Sequence, residues 1–523
     1  LAAVVIESTS AGLAYVDITT GEFAATQFGG VEGLASLHQE LARLAPAECL
    51  VPKAAGSGGG VQSNPPTGTD RADALSRLPG RGTITPYEHW HFDLEAGRRA
   101  LLDHFEASSL EGFGCAALPL ATRAAGALVQ YLQETQRASL AQLSALRTYS
   151  TDSFMVLDPP TRANLEITQS VRSGAVKGSL LWVLDRTKTP MGARLLRQWI
   201  SQPLLDLPAL VSRQEAVAEL VASGILRAKL VGMLGKVGDI ERLINRVVQG
   251  IATPRDLVGL KSSLEVMPAV REALAAPEAG PRCSRLAEEM SPCREVVEVV
   301  TQAIVPSPPA NLSEGGVIAA GFSPELDRLN QDSEEARRWV SGLEGQERRR
   351  TGVKSLNVGY NKVFGYYIEV SNANVDAVPA EYIRKQTLVG AERFITPKLK
   401  EYETLILNAR ERMVEIETRI FRQACQQVAS GREQVLATAR ALAQLDVYLS
   451  LAEVAVANRY VRPLLSDGDE IRIVAGRHPV VELTIEEQFI PNDVHLSNHD
   501  QQLIVLTGPN MAGKSTYLRQ VAL

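Results

Sequence analysis

Apolar and polar positions along the chain change period several times, and each change marks a new element. LAAVVIE, GLAYVDI and GEFAATQF read as three strands parted by short polar turns at Ser10 to Gly12 and Thr19 to Gly21, the pattern of an antiparallel meander. Leu34, Leu37, Leu41 and Leu44 then follow helical spacing, ECLVP reads as a further strand, and GSGGGVQSNPPTGTD as a surface loop. From about Tyr131 to Arg350 the period is helical, as in GARLLRQWI and LVGLKSSLEVM.

Sharper signals begin at Ser323, which can cap a helix whose first turn holds Pro324. Leu326, Leu329, Ser333, Ala336, Val340 and Leu343 follow in three- and four-residue steps. A second ladder runs Leu399, Tyr402, Ile406, Ala409, Met413, Ile416, Ile420, and resumes past Gly431 as Leu442, Leu445, Leu449, Ala452, Val456. Two such ladders flanking an insert predict long antiparallel helices, the second extending roughly 40 Å before Gly431; an ordinary helix bundle carries the same periodicity.

The insert, about Thr351 to Pro397, alternates as strands do in KSLNVGY, FGYYIEVS, RKQTLV and AERFIT. It gathers Tyr360, Phe364, Tyr366, Tyr367, Tyr382 and Phe394 with Lys354, Lys362, Arg384, Lys385 and Arg393, and Lys398 and Lys400 follow just beyond. A small basic β module suits a phosphate backbone, and a solvated face is the alternative. Beyond about Leu465, IRIVAGRHPVVEL and QFIPNDVHL are strand-like, and Leu503 to Leu506 read as a buried strand running into GPNMAGKST. Gly508, Gly513, Lys514 and Ser515 stand at P-loop spacing. The glycines let backbone N–H groups turn around phosphates, Lys514 supplies a point charge, and the Ser515 hydroxyl would sit on Mg²⁺.

Composition adds exclusions. The chain has 523 residues, 45% apolar and 22% charged, which fits several globular domains. No apolar run approaches eighteen residues, so no membrane span is expected. Five scattered cysteines give no C-x-x-C pair, which suits a reducing compartment, and His89, His91, His495 and His499 lack a clustered third donor for a metal. A net charge of −6 leaves room only for a local basic patch. A nuclease needs clustered carboxylates, and only Asp17 is read on a strand in the first sheet. LLWVLD, ending at Asp185, mimics a Walker B strand but is followed by Arg186. Residue 1 already lies in a strand-like run and residue 523 in a helix, so a piece cut at both ends is expected.

Taken together, NLEIT at Asn164, TPMGARLLRQW at Thr189, GGVIAAGFSPELD at Gly315, GYNKVFGYYIEVS at Gly359, YIRKQTLVGAERFITPKLKEYE at Tyr382, GRHPVVE at Gly476 and GPNMAGKST resemble the MutS family of DNA mismatch-repair ATPases over the whole chain. The resemblance implies a multidomain α/β and mainly α protein. Its parts would be an RNase-H-like connector (1–131), a helical lever (132–350 and 398–465) with antiparallel long helices, a small β clamp (351–397) and the start of an ABC-type P-loop ATPase (466–523). It implies ATP and Mg²⁺ held by Gly508, Pro509, Asn510, Met511, Ala512, Gly513, Lys514, Ser515 and Thr516, with Phe489 and Ile490 against the adenine. It also favours DNA contact by Lys354, Lys362, Arg384, Lys385, Arg393, Lys398 and Lys400.

For an intact member it implies an ATP-dependent homodimeric clamp on mismatched duplex, working with MutL in the bacterial cytosol on the nucleoid. The family's Phe-x-Glu wedge, Walker B and signature loop do not occur here, so no catalytic residue is expected and the chain alone is not expected to hydrolyse ATP. A recombination-type relative, or a non-hydrolysing scaffold, stays open. A chromosome-structuring ATPase carries its P-loop before its arms, and NKVF at Asn361 lacks the Asp of a guanine-reading motif.

Overall fold

The computed structural model describes residues 1–53, 82–136, 140–361, 365–510 and 512–523, so the expected loop at 56–70 lies outside the described residues. Two compact units form: Leu1–Gly250 with Ser262–Cys293 and Arg432–Leu523, and Ile251–Lys261 with Arg294–Gly431.

In the first unit, β1 (Ala2–Glu7), β2 (Ser10–Asp17) and β3 (Glu22–Phe28) are the expected antiparallel meander. The first turn falls at Ser8–Thr9 rather than Ser10 to Gly12, with Ser8 in the left-handed region. β4 (Glu48–Pro52) lies parallel to β1, and two strands not expected from sequence complete the order β5-β4-β1-β2-β3-β6: β5 (Thr83–Tyr87) and β6 (Arg147–Thr148). β5 carries Pro86 and β6 is two residues long, so neither offers an alternating run to read. The apolar run in β1 is continuous because both faces are covered. Ala3 and Val5 pack with Phe92, Leu101 and Leu128, while Ala2, Val4 and Ile6 pack with Leu37 and Leu41 of the Gly33–Leu44 helix.

Asp17 does not stand alone on this sheet, because Glu7, Glu22 and Glu48 also sit at strand ends. Each is committed elsewhere: Glu7 to Arg123, Glu22 to the Tyr15 hydroxyl at 2.7 Å, Glu48 to Thr85 and Tyr131. Asp17 itself accepts from the Thr19 amide and hydroxyl at 2.9 and 2.7 Å, closing a turn. All four carboxylates are thus engaged by neighbouring side chains or backbone. LLWVLD is a helix, Leu180–Leu184, not a strand, since Ser179 caps it by accepting from the Trp182 amide.

The Arg432–Asn458 helix is the apolar axis of this unit. By length and composition it could span a membrane, yet 72% of its most apolar window is buried inside the fold. Leu442, Leu445, Leu449 and Ala452 are buried as the ladder predicts, and Val456 is exposed. Its one fully buried carboxylate, Asp446, accepts from the Lys188 amide at 2.9 Å and from the Thr189 amide and hydroxyl, both at 2.7 Å. Ser450, one turn on, donates to the Leu184 carbonyl and accepts from the Arg186 amide, both at 2.7 Å. The Pro190–Ser201 helix therefore starts on the long helix, and a Cβ at Gly192 would lie 2.3 Å from the Asp446 carboxylate. Desolvation raises the Asp446 pKa against these three donors.

In the second unit the Pro324–Thr351 and Pro397–Ser430 helices, 28 and 34 residues long, pack against each other. At 1.5 Å per residue the second measures about 50 Å, longer than the roughly 40 Å expected. Ser323 and Thr396 cap the two helices as the motifs require. Trp339 stacks on Tyr402 at 4.1 Å, whereas Glu325 reaches Arg412 and Arg419 at 3.5 and 2.9 Å. Numbers fall along one helix as they rise along the other, so the pair is antiparallel. Glu417, buried in the second helix, accepts from the Gly316 and Val317 amides at 3.0 and 3.3 Å.

Asp446→Ala is expected to lower unfolding free energy by about 3 kcal/mol, because it leaves two amides and a hydroxyl without an acceptor. Urea denaturation measures this, and a drop below about 0.5 kcal/mol would refute the anchoring role.

Candidate nucleotide and nucleic-acid sites

The insert between the two long helices forms a four-stranded antiparallel sheet, order β7-β8-β10-β9: β7 (Asn357–Asn361), β8 (Gly365–Ser371), β9 (Ile383–Thr387) and β10 (Ala391–Ile395). Ile368, Val370 and Phe394 on one face join Val340, Leu343, Leu399 and Ile406 of the helices in one core. Tyr382 enters the same core and donates from its hydroxyl to buried Glu347 at 2.8 Å. Burial and that carboxylate push the phenol up, so it stays neutral. Glu347 in turn pairs with Arg350, which also reaches Glu381.

Among the basic residues, the structure separates paired cations from unpaired ones. Arg393 lies over the Tyr367 ring at 4.1 Å and pairs with Glu369 at 2.8 Å, which ties it into the sheet. Arg384 pairs with Glu392 at 2.8 Å but keeps an exposed side chain, and Lys400 pairs with Glu403 at 3.3 Å. Lys398 is exposed and its ammonium lies 5.4 Å from the Trp339 ring centre. Lys354 and Lys385 are exposed and have no carboxylate partner among the described residues. The register explains Lys385: Gln386 faces Arg393 and Arg384 faces Phe394, leaving Lys385 as the extra residue of a β-bulge on the edge strand. Lys362 and Phe364 lie outside the described residues.

Sequence reasoning missed Arg349. It lies in the last turn of the helix, is exposed, and among the described residues donates only to the Gly345 carbonyl, at 3.1 Å. The run Arg348-Arg349-Arg350 before the insert was the available signal, since cations in a last turn face the negative end of the helix dipole.

At the phosphate-loop motif, Gly508 and Gly513 have φ of +147° and +84°, which only glycine adopts without strain. The Lys514–Ala522 helix opens there with no side chain capping its first amides, which leaves those N–H groups for an anion. The Lys514 ammonium donates to the Gly508 carbonyl and, at 3.2 Å, to that of Pro509. Ser515 is exposed, Thr516 half-buried and Asn510 exposed, while Met511 lies outside the described residues. Amides, an ammonium and a hydroxyl gathered on one loop fit a polyphosphate with a hard cation.

The strand expected at Leu503 to Leu506 does not form. The run is irregular and exposed, 82% at Leu503 and 76% at Val505. A strand needs a neighbour's hydrogen bonds, and the nearby sheet of β11 (Glu470–Gly476) and β12 (Asn492–Ser497) has only two strands. Phe489 is half-buried and Ile490 exposed. The helix after the loop rests on β11 and β12: Tyr517 donates to the Asp493 carbonyl at 3.3 Å, and buried Gln520 lies against Gly476.

No cluster of His, Cys, Asp and Glu able to hold a metal occurs among the described residues. His91 stacks on Tyr87 at 4.0 Å and pairs with Gln130, while His495 and His499 face Glu470 and Asp469. All five cysteines are free, and burial pushes Cys49, Cys283 and Cys425 up to about 12, far from reactive thiolates.

Comparison with known families settles the relationship. Residues 1–146 match the family profile of MutS domain II, and residues 160–452 that of MutS domain III. The chain belongs to the MutS family. Relatives named DNA mismatch repair protein MutS include that of Symbiobacterium thermophilum, 44% identical over 525 residues, covering 100% of this chain and 58% of the relative. Those of Dehalococcoides mccartyi (strain CBDB1) and Thermosynechococcus vestitus are 45% identical, over 98% and 100% of this chain and 58% and 59% of their own lengths. The chain therefore spans less than two thirds of each of these relatives. The sheet on the helix pair lies inside the domain III match, and residues 508–516 lie beyond it.

Within this MutS sheet, Arg393→Ala is expected to cost about 1–3 kcal/mol of stability by stranding Glu369, and Lys385→Ala less than about 0.5 kcal/mol. Equal costs in chemical denaturation would contradict the division into sheet-bound and free cations.

Proposed function

We propose that this chain is the duplex-gripping and nucleotide-responsive part of a DNA mismatch-repair protein. The observation that carries the reading is an antiparallel helix pair bearing a small sheet, inside the MutS domain III match, around which Lys354, Lys385 and Arg349 stand exposed without acidic partners among the described residues. Unpaired cations on an edge strand and a helix end suit phosphate contact whatever the base sequence. Arg384, Lys398 and Lys400, exposed but weakly engaged, join them. Mismatched duplex bends at lower cost than paired duplex, so a clamp that holds a kink selects it by deformability.

The same reading assigns ATP with Mg²⁺ to residues 508–516. Lys514 would leave the Gly508 and Pro509 carbonyls for phosphate oxygens, the first-turn amides would orient the chain of phosphates, and Ser515 would offer its hydroxyl to the metal. Bound nucleotide supplies negative charge where this loop supplies donors, and the helix from Lys514 would settle accordingly. The working protein is read as a homodimer on mismatched double-stranded DNA in the bacterial cytoplasm, on the nucleoid, with MutL downstream. Support comes from relatives named for mismatch repair along the whole chain.

In the full-length protein, changing both Lys354 and Lys385 to Ala should reduce the salt slope of duplex affinity by about 2, near 0.9 for each phosphate no longer neutralised. An unchanged slope in a filter-binding titration would remove the grip from this sheet. Lys514→Ala should abolish ATP-triggered release from DNA, and release at the normal rate would count against the loop's assignment.

A further inference from the structure

Three motifs far apart in sequence meet at one end of the helix that opens on the phosphate loop. Glu166, in NLEIT, holds a left-handed backbone with φ of +50°, a conformation that a non-glycine residue keeps only when its surroundings hold it. One of its carboxylate oxygens accepts from the Val171 amide at 2.8 Å and the Ser170 hydroxyl at 3.1 Å. The other lies 4.0 Å from the guanidinium of Arg519, on the phosphate-loop helix. Next to Arg519, Gln520 is buried against Gly476 of β11, with both side-chain amide atoms unpartnered among the described residues. Two residues beyond Gly476, buried His478 accepts from the Val480 and Val481 amides.

From Glu166 the contacts continue inward without a gap. Its carbonyl accepts from the Leu180 amide at 2.9 Å, and that of Ile167 accepts from the Leu181 amide at 2.9 Å. The short helix these amides begin ends at Leu184, whose carbonyl takes the Ser450 hydroxyl at 2.7 Å. Asp446 then holds the next residues, Lys188 and Thr189. A displacement of the phosphate-loop helix at Arg519 is thus applied to a strained turn, and that turn is hydrogen-bonded to the segment seated on the 432–458 helix.

We infer that Glu166 is a positioning residue that couples the phosphate-loop helix, through Arg519, to the 432–458 helix. The inference rests on the reading of residues 508–516 as a nucleotide site. An ion pair from Arg519 to Glu166, followed by hydrogen bonds from the Glu166 turn to the 180–189 segment and on to Ser450 and Asp446, gives the coupling its route. Because a half-exposed ion pair contributes little to stability, Glu166→Gln keeps the turn's amide and hydroxyl acceptor and leaves the fold intact.

The test uses the full-length protein and a fluorescent ATP analogue. Nucleotide affinity is measured by anisotropy, and the effect of nucleotide on amide hydrogen exchange is followed in residues 180–192 and 432–458. Glu166→Gln and Arg519→Gln should each bind the analogue within about threefold of wild type, yet reduce the nucleotide-induced change in exchange about fivefold or more. The reciprocal exchange, Glu166→Arg with Arg519→Glu, should restore part of that change. A full wild-type response in both single variants overturns the inference while leaving the nucleotide site standing. If wild type binds no analogue, the site assignment itself fails and the coupling falls with it. Should the reciprocal variant not fold, the two Gln variants alone decide the outcome.

Discussion

The antiparallel packing of the Pro324–Thr351 helix on the Pro397–Ser430 helix is the constraint on which the four-stranded sheet, and with it the proposed grip, depends. A sheet of four short strands has little core of its own, and this one completes its core with Val340, Leu343, Leu399 and Ile406 from the helices. The Trp339–Tyr402 stack sets the pairing of the helices near the sheet, and the Glu325 ion pairs set it farther away. With that register in place, the end of one helix delivers Arg349 and the edge of the sheet delivers Lys385 on its bulge. Parting the helices would expose the apolar face of the sheet before it altered any charge.

A second, different constraint operates along the 432–458 helix. Its surroundings are mostly apolar, and two polar side chains one turn apart fix its pairing with the 184–189 segment. Asp446 and Ser450 satisfy amides and a carbonyl of the 184–189 segment, a buried network in which each member has partners. Such networks are costly to break and fix one arrangement among many that apolar packing alone would tolerate. NLEIT, which faces Arg519 of the 514–522 helix, is joined to the long helix through this segment, so structural anchoring and the inferred coupling use the same atoms.

Local pattern carries much of the architecture. Period-2 runs mark the meander and the four strands of the insert, and capped ladders mark the long helices, because those signals depend on neighbours in sequence. What depends on distant neighbours is not legible. Leu503 to Leu506 have the composition of a buried strand, and no sheet edge among the described residues receives them. Asp446 looks like a stray charge in an apolar helix, since its partners lie 257 and 258 residues away. The basic insert reads as one patch, but pairing of Arg393 with Glu369 and of Arg384 with Glu392 depends on strand register, and register leaves Lys385 without a carboxylate among the described residues while Arg393 is spent.

The claim that a helix-borne sheet grips duplex through its unpaired cations is tested most directly by hydrogen exchange of the full-length protein with and without duplex DNA. The account predicts slowed exchange on DNA binding in residues 383–389 and around Lys354, with the 1–52 segment unchanged. Protection confined to the 1–52 segment, with the insert unaffected, would contradict it.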